Sequence, residues 1–257
     1  MNSLVGLVKK DLLISRFLFI VWFAINILFM IGSFFLSKYM HEPMVPIGIF
    51  IMLLVLNTML IPVLVSASLR VEGKTQLWLY NPQSSTKLLL SKIITAVSYQ
   101  VISLILLFVY GYIVFKFSIS STIKLDSILI NESFSVSIFL MAFGLYLTFW
   151  IMFYWAIYHS LGKFPRIRRV RWLVIVVIFI VLSIMEDLIL KIDAFSNLLD
   201  KWHFSIGLNP SFQYKNETWD FTFANTDVPL IPILIYIFIS LILFVITSWL
   251  LDKKVEV

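Results

Sequence analysis

Phe17-Leu-Phe-Ile-Val-Trp-Phe-Ala-Ile-Asn-Ile-Leu-Phe-Met-Ile-Gly-Ser-Phe-Phe-Leu36 carries no charge over its whole length. A hydrocarbon core about 30 Å thick is crossed by about 20 helical residues, so this run alone spans a bilayer. Five more runs repeat the pattern: Val45–Ser68, Ile93–Phe115, Phe134–Tyr158, Trp172–Leu190 and Pro229–Leu251. The expected fold is all-α, a polytopic membrane protein with six transmembrane helices in a single domain over residues 1–257. Of the 257 residues 61% are hydrophobic and only 13% charged, and the mean hydropathy is +0.99. That is too little charge to solvate a soluble domain of this size.

Charge sets the expected orientation. With the N-terminus inside, 14 of the 20 basic residues fall on the inner side with Asp11, Glu72, Asp252 and Glu256, a balance of +10. The other side holds 6 basic and 10 acidic residues, a balance of −4. Positive charge near span ends is retained in the cytoplasm, so both termini are expected there. The run Lys163–Arg171 is the strongest determinant, and its position before a span assigns it to topology and lipid headgroups rather than nucleic acid. Cysteine is absent, which excludes disulfides and thiolate chemistry.

Ahead of the first span, Leu4–Arg16 is read as an amphipathic interfacial helix on the inner leaflet or as a plain extension of the first span into the cytosol. Leu4, Val5, Leu7, Val8, Leu12 and Ile14 share one arc, opposite Lys9 and Lys10, and Asp11 intrudes on the apolar side. Pro62 is expected to kink span two. The inner loop Arg70–Lys92 carries an apolar cluster, Leu77-Trp78-Leu79-Tyr80, then the turn signal Asn81-Pro82 and the capping candidates Ser84, Ser85 and Thr86. Apolar residues in an inner loop insert at the headgroups or dock on a protein. In span four, Tyr146, Trp150, Tyr154 and Tyr158 recur every fourth residue as a stripe. The stripe is either a core- or lipid-facing belt or the lining of a path. The outer segment Glu186–Val228 is long enough for a cap or a pair of half-inserted helices, with a short helix expected over Asn197–Trp202.

Catalytic patterns are missing. There is no phosphate-binding Gly-x-x-x-x-Gly-Lys-Ser/Thr loop and no nucleophile elbow. His41, His159 and His203 are isolated. Glu186 and Asp187 form the one acidic pair in a span, and they are the site to test if the chain is an intramembrane enzyme. Span interiors otherwise offer neutral polar groups, Asn57 and Gln100 above all. These fit interhelical hydrogen bonds and do not fit an ion-coupled carrier.

The run Glu72-Gly-Lys-Thr-Gln-Leu-Trp-Leu-Tyr-Asn-Pro-Gln-Ser-Ser-Thr-Lys-Leu-Leu-Leu-Ser-Lys92 resembles the inner loop of the ABC-2 type permeases, the transmembrane subunits of ATP-binding-cassette exporters. The likeness extends to the basic N-terminal helix, the six spans and the longer outer segment. Within the family the chain looks most like the staphylococcal permeases for phenol-soluble modulins, short amphipathic peptides. It departs at Gln76, where relatives often carry a second acid, and at Tyr80-Asn81. The resemblance implies a coupling helix that docks on a separate ATPase subunit. Lys9, Lys10, Glu72, Gly73, Lys74, Leu77, Trp78 and Tyr80 would be the coupling residues. Asn57, Gln100, Tyr146, Trp150 and Tyr154 would line a path. It also implies no cofactor on this chain, ATP and Mg on the partner, a second permease copy or paralogue, and the plasma membrane of a Gram-positive bacterium. A membrane anchor or sensor recruiting a cytosolic partner is the alternative of a different class.

Overall fold

A computed structural model describes residues 3–75, 83–118, 127–163, 169–192, 201–215 and 218–254. Among the described residues there are seven α-helices: α1 Ser3–Met40, α2 Val45–Asn57, α3 Leu60–Thr75, α4 Ser85–Ser118, α5 Ser127–Ser160, α6 Arg171–Leu190 and α7 Leu230–Lys254. With α2 and α3 taken together as one span, six are long and apolar enough to cross a membrane. The all-α, six-helix expectation therefore holds.

Two packing units share these helices. One comprises Met1–Ser68, Ser91–Leu145 and Ile206–Thr226; the other comprises Leu69–Leu90, Tyr146–Ser205 and Asp227–Val257.

In the first unit, α1 runs unbroken for 38 residues, about 57 Å at ~1.5 Å per residue and far longer than the hydrocarbon is thick. It is thinly covered, as an interfacial helix is, and it passes into the first span without interruption. Its buried positions are Leu7, Asp11, Ser15, Asn26, Met30 and Ser33, one narrow stripe at helical spacing. Four of the six are polar. In a bilayer the apolar arc has no reason to turn inward, because lipid solvates it as well as protein does, and the polar positions seek partners instead. His41 ends the helix with φ 55°. Its left-handed backbone lets the Glu42 N–H reach the Ser37 carbonyl at 3.2 Å, a Schellman closure.

Span two is broken. The helix stops at Asn57 and resumes at Leu60, with short i−3 bonds from Thr58 N–H to Val55 O and from Met59 N–H to Leu56 O. The fault lies four residues ahead of Pro62, the position whose carbonyl a proline both clashes with and leaves without a donor. Thr58 O is the carbonyl so released, and it points at Gly144, where an added Cβ would lie 2.6 Å from it. Below the break, Ile47, Phe50, Leu53 and Leu54 pack with Met30, Leu107, Tyr110, Val114 and Phe115. Gly111 leaves room for the Phe50 ring, whose nearest atom is 2.8 Å from where a Cβ would stand.

In the second unit, the first turn of α4 meets the end of α7. The Ser85 N–H donates to the Asp252 carboxylate at 3.2 Å, and Thr86 Oγ1 shares a hydrogen bond with Ser248 at 2.8 Å. A carboxylate at a helix N-terminus is favoured by the orphan amides and the helix dipole. Asp252→Ala should lower stability by about 0.5–1 kcal/mol, read as a fall in the thermal midpoint in detergent that shrinks as salt is added.

The outer segment differs from expectation. His203–Lys215 (β1) and Thr218–Pro229 (β2) form a two-stranded sheet, and strands joined by two residues pair antiparallel. The reason is legible afterwards: Phe204, Ile206, Leu208, Phe212 and Tyr214, then Trp219, Phe221 and Phe223, alternate with other residues at the period of a strand. Half-inserted helices are thus excluded over this stretch. The helix expected over Asn197–Trp202 lies, apart from Lys201 and Trp202, outside the described residues.

Candidate functional site

Three groups of expected residues can be placed. The coupling residues divide. Lys9 is exposed, and Lys10 lies 3.6 Å from the Asp11 carboxylate. Glu72 is buried, only 3% exposed. Gly73 lies against the rings of Trp155 and His159, with atoms of both 3.2 Å from where a Cβ would be. Lys74 is exposed near the end of α3. Leu77, Trp78 and Tyr80 lie outside the described residues. Helix α3 therefore carries the start of the inner loop outward as helix through Thr75, and α4 resumes at Ser85, where the Ser84 carbonyl accepts the Lys87 and Leu88 N–H groups.

Asn57 and Gln100 are both buried in the first unit. Asn57 stands at the last helical position before the break in span two. Its Oδ1 accepts a hydrogen bond from Ser103 Oγ at 3.1 Å, the interhelical role expected of it. Gln100 precedes Ser103 by three residues and so shares that face of α4. Asn57 Nδ2 and Gln100 Oε1 are buried without a hydrogen-bond partner.

The aromatic stripe packs ring on ring in the second unit. Trp150 stacks on Tyr154 at 5.6 Å, meets Tyr146 edge-on at 6.3 Å, and Tyr146 reaches Tyr236 of α7 at 5.2 Å. Tyr158 holds the Arg171 guanidinium over its ring at 4.7 Å. His159 is turned the other way, its Nδ1 at 3.0 Å from the Trp155 carbonyl and its ring 4.2 Å from that indole. Glu186 and Asp187 are exposed on α6, the barest of the six spans. Among the described residues no group of three metal-ligating side chains occurs.

The most consequential polar contact is one that reading the chain in isolation missed. Asp11 and Lys92 are each about 1% exposed at the side chain and pair at 3.3 Å. Ser91 Oγ donates to the other carboxylate oxygen at 2.5 Å. The seam continues along the same faces: Thr95 Oγ1 reaches the Val8 carbonyl at 3.4 Å, Tyr99 OH reaches the Leu12 carbonyl at 2.9 Å, and the Tyr99 ring stacks on Phe19 at 4.2 Å. The available signal was Asp11 itself, an acid on an apolar arc, which in a membrane calls for a named partner.

No family model and no solved structure matches the chain. It is 28% identical to the uncharacterized protein YhcE of Bacillus subtilis (strain 168) over 263 aligned residues, an alignment that takes in all of both chains. Helix lengths and composition establish a multi-pass membrane protein of six spans with buried polar contacts between its helices.

Proposed function

We propose that this chain is the transmembrane permease subunit of an ATP-binding-cassette exporter. Paired with a second copy or a paralogue in a bacterial plasma membrane, it moves amphipathic peptides or other hydrophobic cargo outward, driven by a separate ATPase subunit. The observation that carries this reading is the divided second span. Helix α3 begins at a fault deep in an apolar run and continues, as rigid helix, to Thr75 at the edge of the inner loop. A helix hinged at one end and seated on a partner at the other transmits displacement. The buried Asp11–Lys92 pair compensates its own charge, so it is read as structural, and the energy source is placed on another chain.

Glu72 anchors the root of the loop, and Trp78 is the residue assigned to the docking contact. With an ATP-binding-cassette ATPase that co-purifies with the chain reconstituted beside it in vesicles, Trp78→Ala and Glu72→Ala should each abolish cargo-stimulated ATP hydrolysis while membrane insertion persists. Unchanged stimulation in both variants would refute the docking assignment. A partner that binds but never responds to cargo would favour a membrane anchor or sensor.

A further inference from the structure

Unpaired polar atoms are expensive in a helix bundle and are retained where something pairs with them. Two lie in the first unit. Asn57 is 1% exposed and Gln100 2%; the former leaves Nδ2 without a partner, the latter Oε1. They are bridged in position by Ser103, which bonds Asn57 at 3.1 Å and lies one turn from Gln100 on α4.

A third such atom, Trp22 Nε1 on α1, belongs to the same level. Asp11 faces Ser91, Phe19 faces Tyr99 and Ser33 faces Tyr110. That register sets Trp22 beside the turn of α4 that holds Gln100 and Ser103.

The surroundings select against charge. On α4 no Lys, Arg, Asp or Glu lies between Lys92 and Lys116, on α1 none between Arg16 and Lys38, and from Val45 the second span has none before Arg70. An ion brought here would find no counter-charge within the low-dielectric bundle.

We infer that Asn57, Gln100 and Ser103, with the Trp22 indole at the same level, form an occluded site for a neutral ligand group that accepts one hydrogen bond and donates another. A secondary amide of a translocating peptide has that pairing, and so does a bound water. The amide source rests on the export reading; the site itself does not.

The test uses the full chain in lipid nanodiscs and the double variant Asn57→Leu/Gln100→Met, which removes both unpaired atoms. The probe is a 20-residue amphipathic Leu/Ala/Lys helix carrying a photoreactive group, with a backbone N-methylated version lacking the amide donors. If the occupant is a cargo amide, the double variant loses about tenfold or more in peptide affinity, as expected when a ligand hydrogen bond is left unmade. Its thermal midpoint stays level or rises, and wild-type protein discriminates against the N-methylated probe.

If the occupant is water, peptide affinity is unchanged and the thermal midpoint falls. If neither affinity nor midpoint moves, the site is refuted. Gln100→Met alone removes one unpaired acceptor and keeps the experiment readable should the double variant fail to fold. Wild-type protein that binds no peptide at all would count against peptide export, while the midpoint would still decide the site.

Discussion

Lys92→Ala should be among the most damaging single substitutions in this chain, lowering stability by about 3–5 kcal/mol, the usual penalty for breaking a buried ion pair from one side. Lys92 and Asp11 are almost completely enclosed and pair at 3.3 Å. Removing the ammonium leaves a carboxylate held by Ser91 Oγ at 2.5 Å and by Lys10 at 3.6 Å, the latter partly solvated. Asp11→Ala removes the carboxylate that faces the ammonium and should also be harmful. The informative variant is Asp11→Leu/Lys92→Met. Replacing both ions with apolar groups removes the desolvation burden along with the attraction, so the double variant should recover most of the wild-type thermal midpoint. Additive losses would mean that the two groups do not couple to each other and that each stabilises the α1–α4 seam through other partners.

The second large effect is expected from a single methyl group. In Gly144→Ala the new Cβ would lie 2.6 Å from the Thr58 carbonyl oxygen. That oxygen is backbone, and its position follows from Pro62, which withholds the N–H that would draw it along the helix axis. Overpacking of this kind costs about 1–3 kcal/mol, and the upper part of that range applies because no flexible side chain can yield. Gly32→Ala is the control: nothing lies within 4 Å of its would-be Cβ, so a helical alanine there should be neutral or slightly stabilising. In Gly144→Ala/Pro62→Ala the restored N–H can recapture the Thr58 carbonyl, and part of the loss should return. A thermal midpoint for Gly144→Ala equal to that of Gly32→Ala would mean that the break in span two does not rest on Gly144.

The spans were readable from composition because a bilayer imposes one coarse demand, about twenty apolar residues in a row. Pro62 likewise announced a disturbance in span two, since a missing N–H is a property of the residue. Its location was less obvious: the fault opened at Thr58, where the proline's displaced partner sits, and Gly144 on α5 accommodates it. The hairpin at His203–Pro229 is legible only at a period of two, at which its large apolar side chains alternate with smaller or polar residues.

Orientation of the N-terminal helix shows where one-dimensional reading stops. Leu4, Val5, Leu7, Val8, Leu12 and Ile14 define an apolar arc, yet Leu7, Asp11 and Ser15 form the buried stripe. In water an arc must find cover, so it identifies the inner face. Next to lipid it need not, and the face is chosen by whichever polar groups can be satisfied.

Sequence alone, then, determined that this protein lives in a membrane, how many times it crosses, and that its crossings are poor in charge, all of which follow from local composition summed over runs. Only the folded arrangement decided that Asp11 belongs to Lys92, that Glu72 is buried, that the Thr58 carbonyl rests at Gly144, and that Asn57 and Gln100 each keep an atom in reserve. Those are pairings across tens of residues, and in a chain where nearly every surface is apolar, hydropathy has no gradient left with which to specify them.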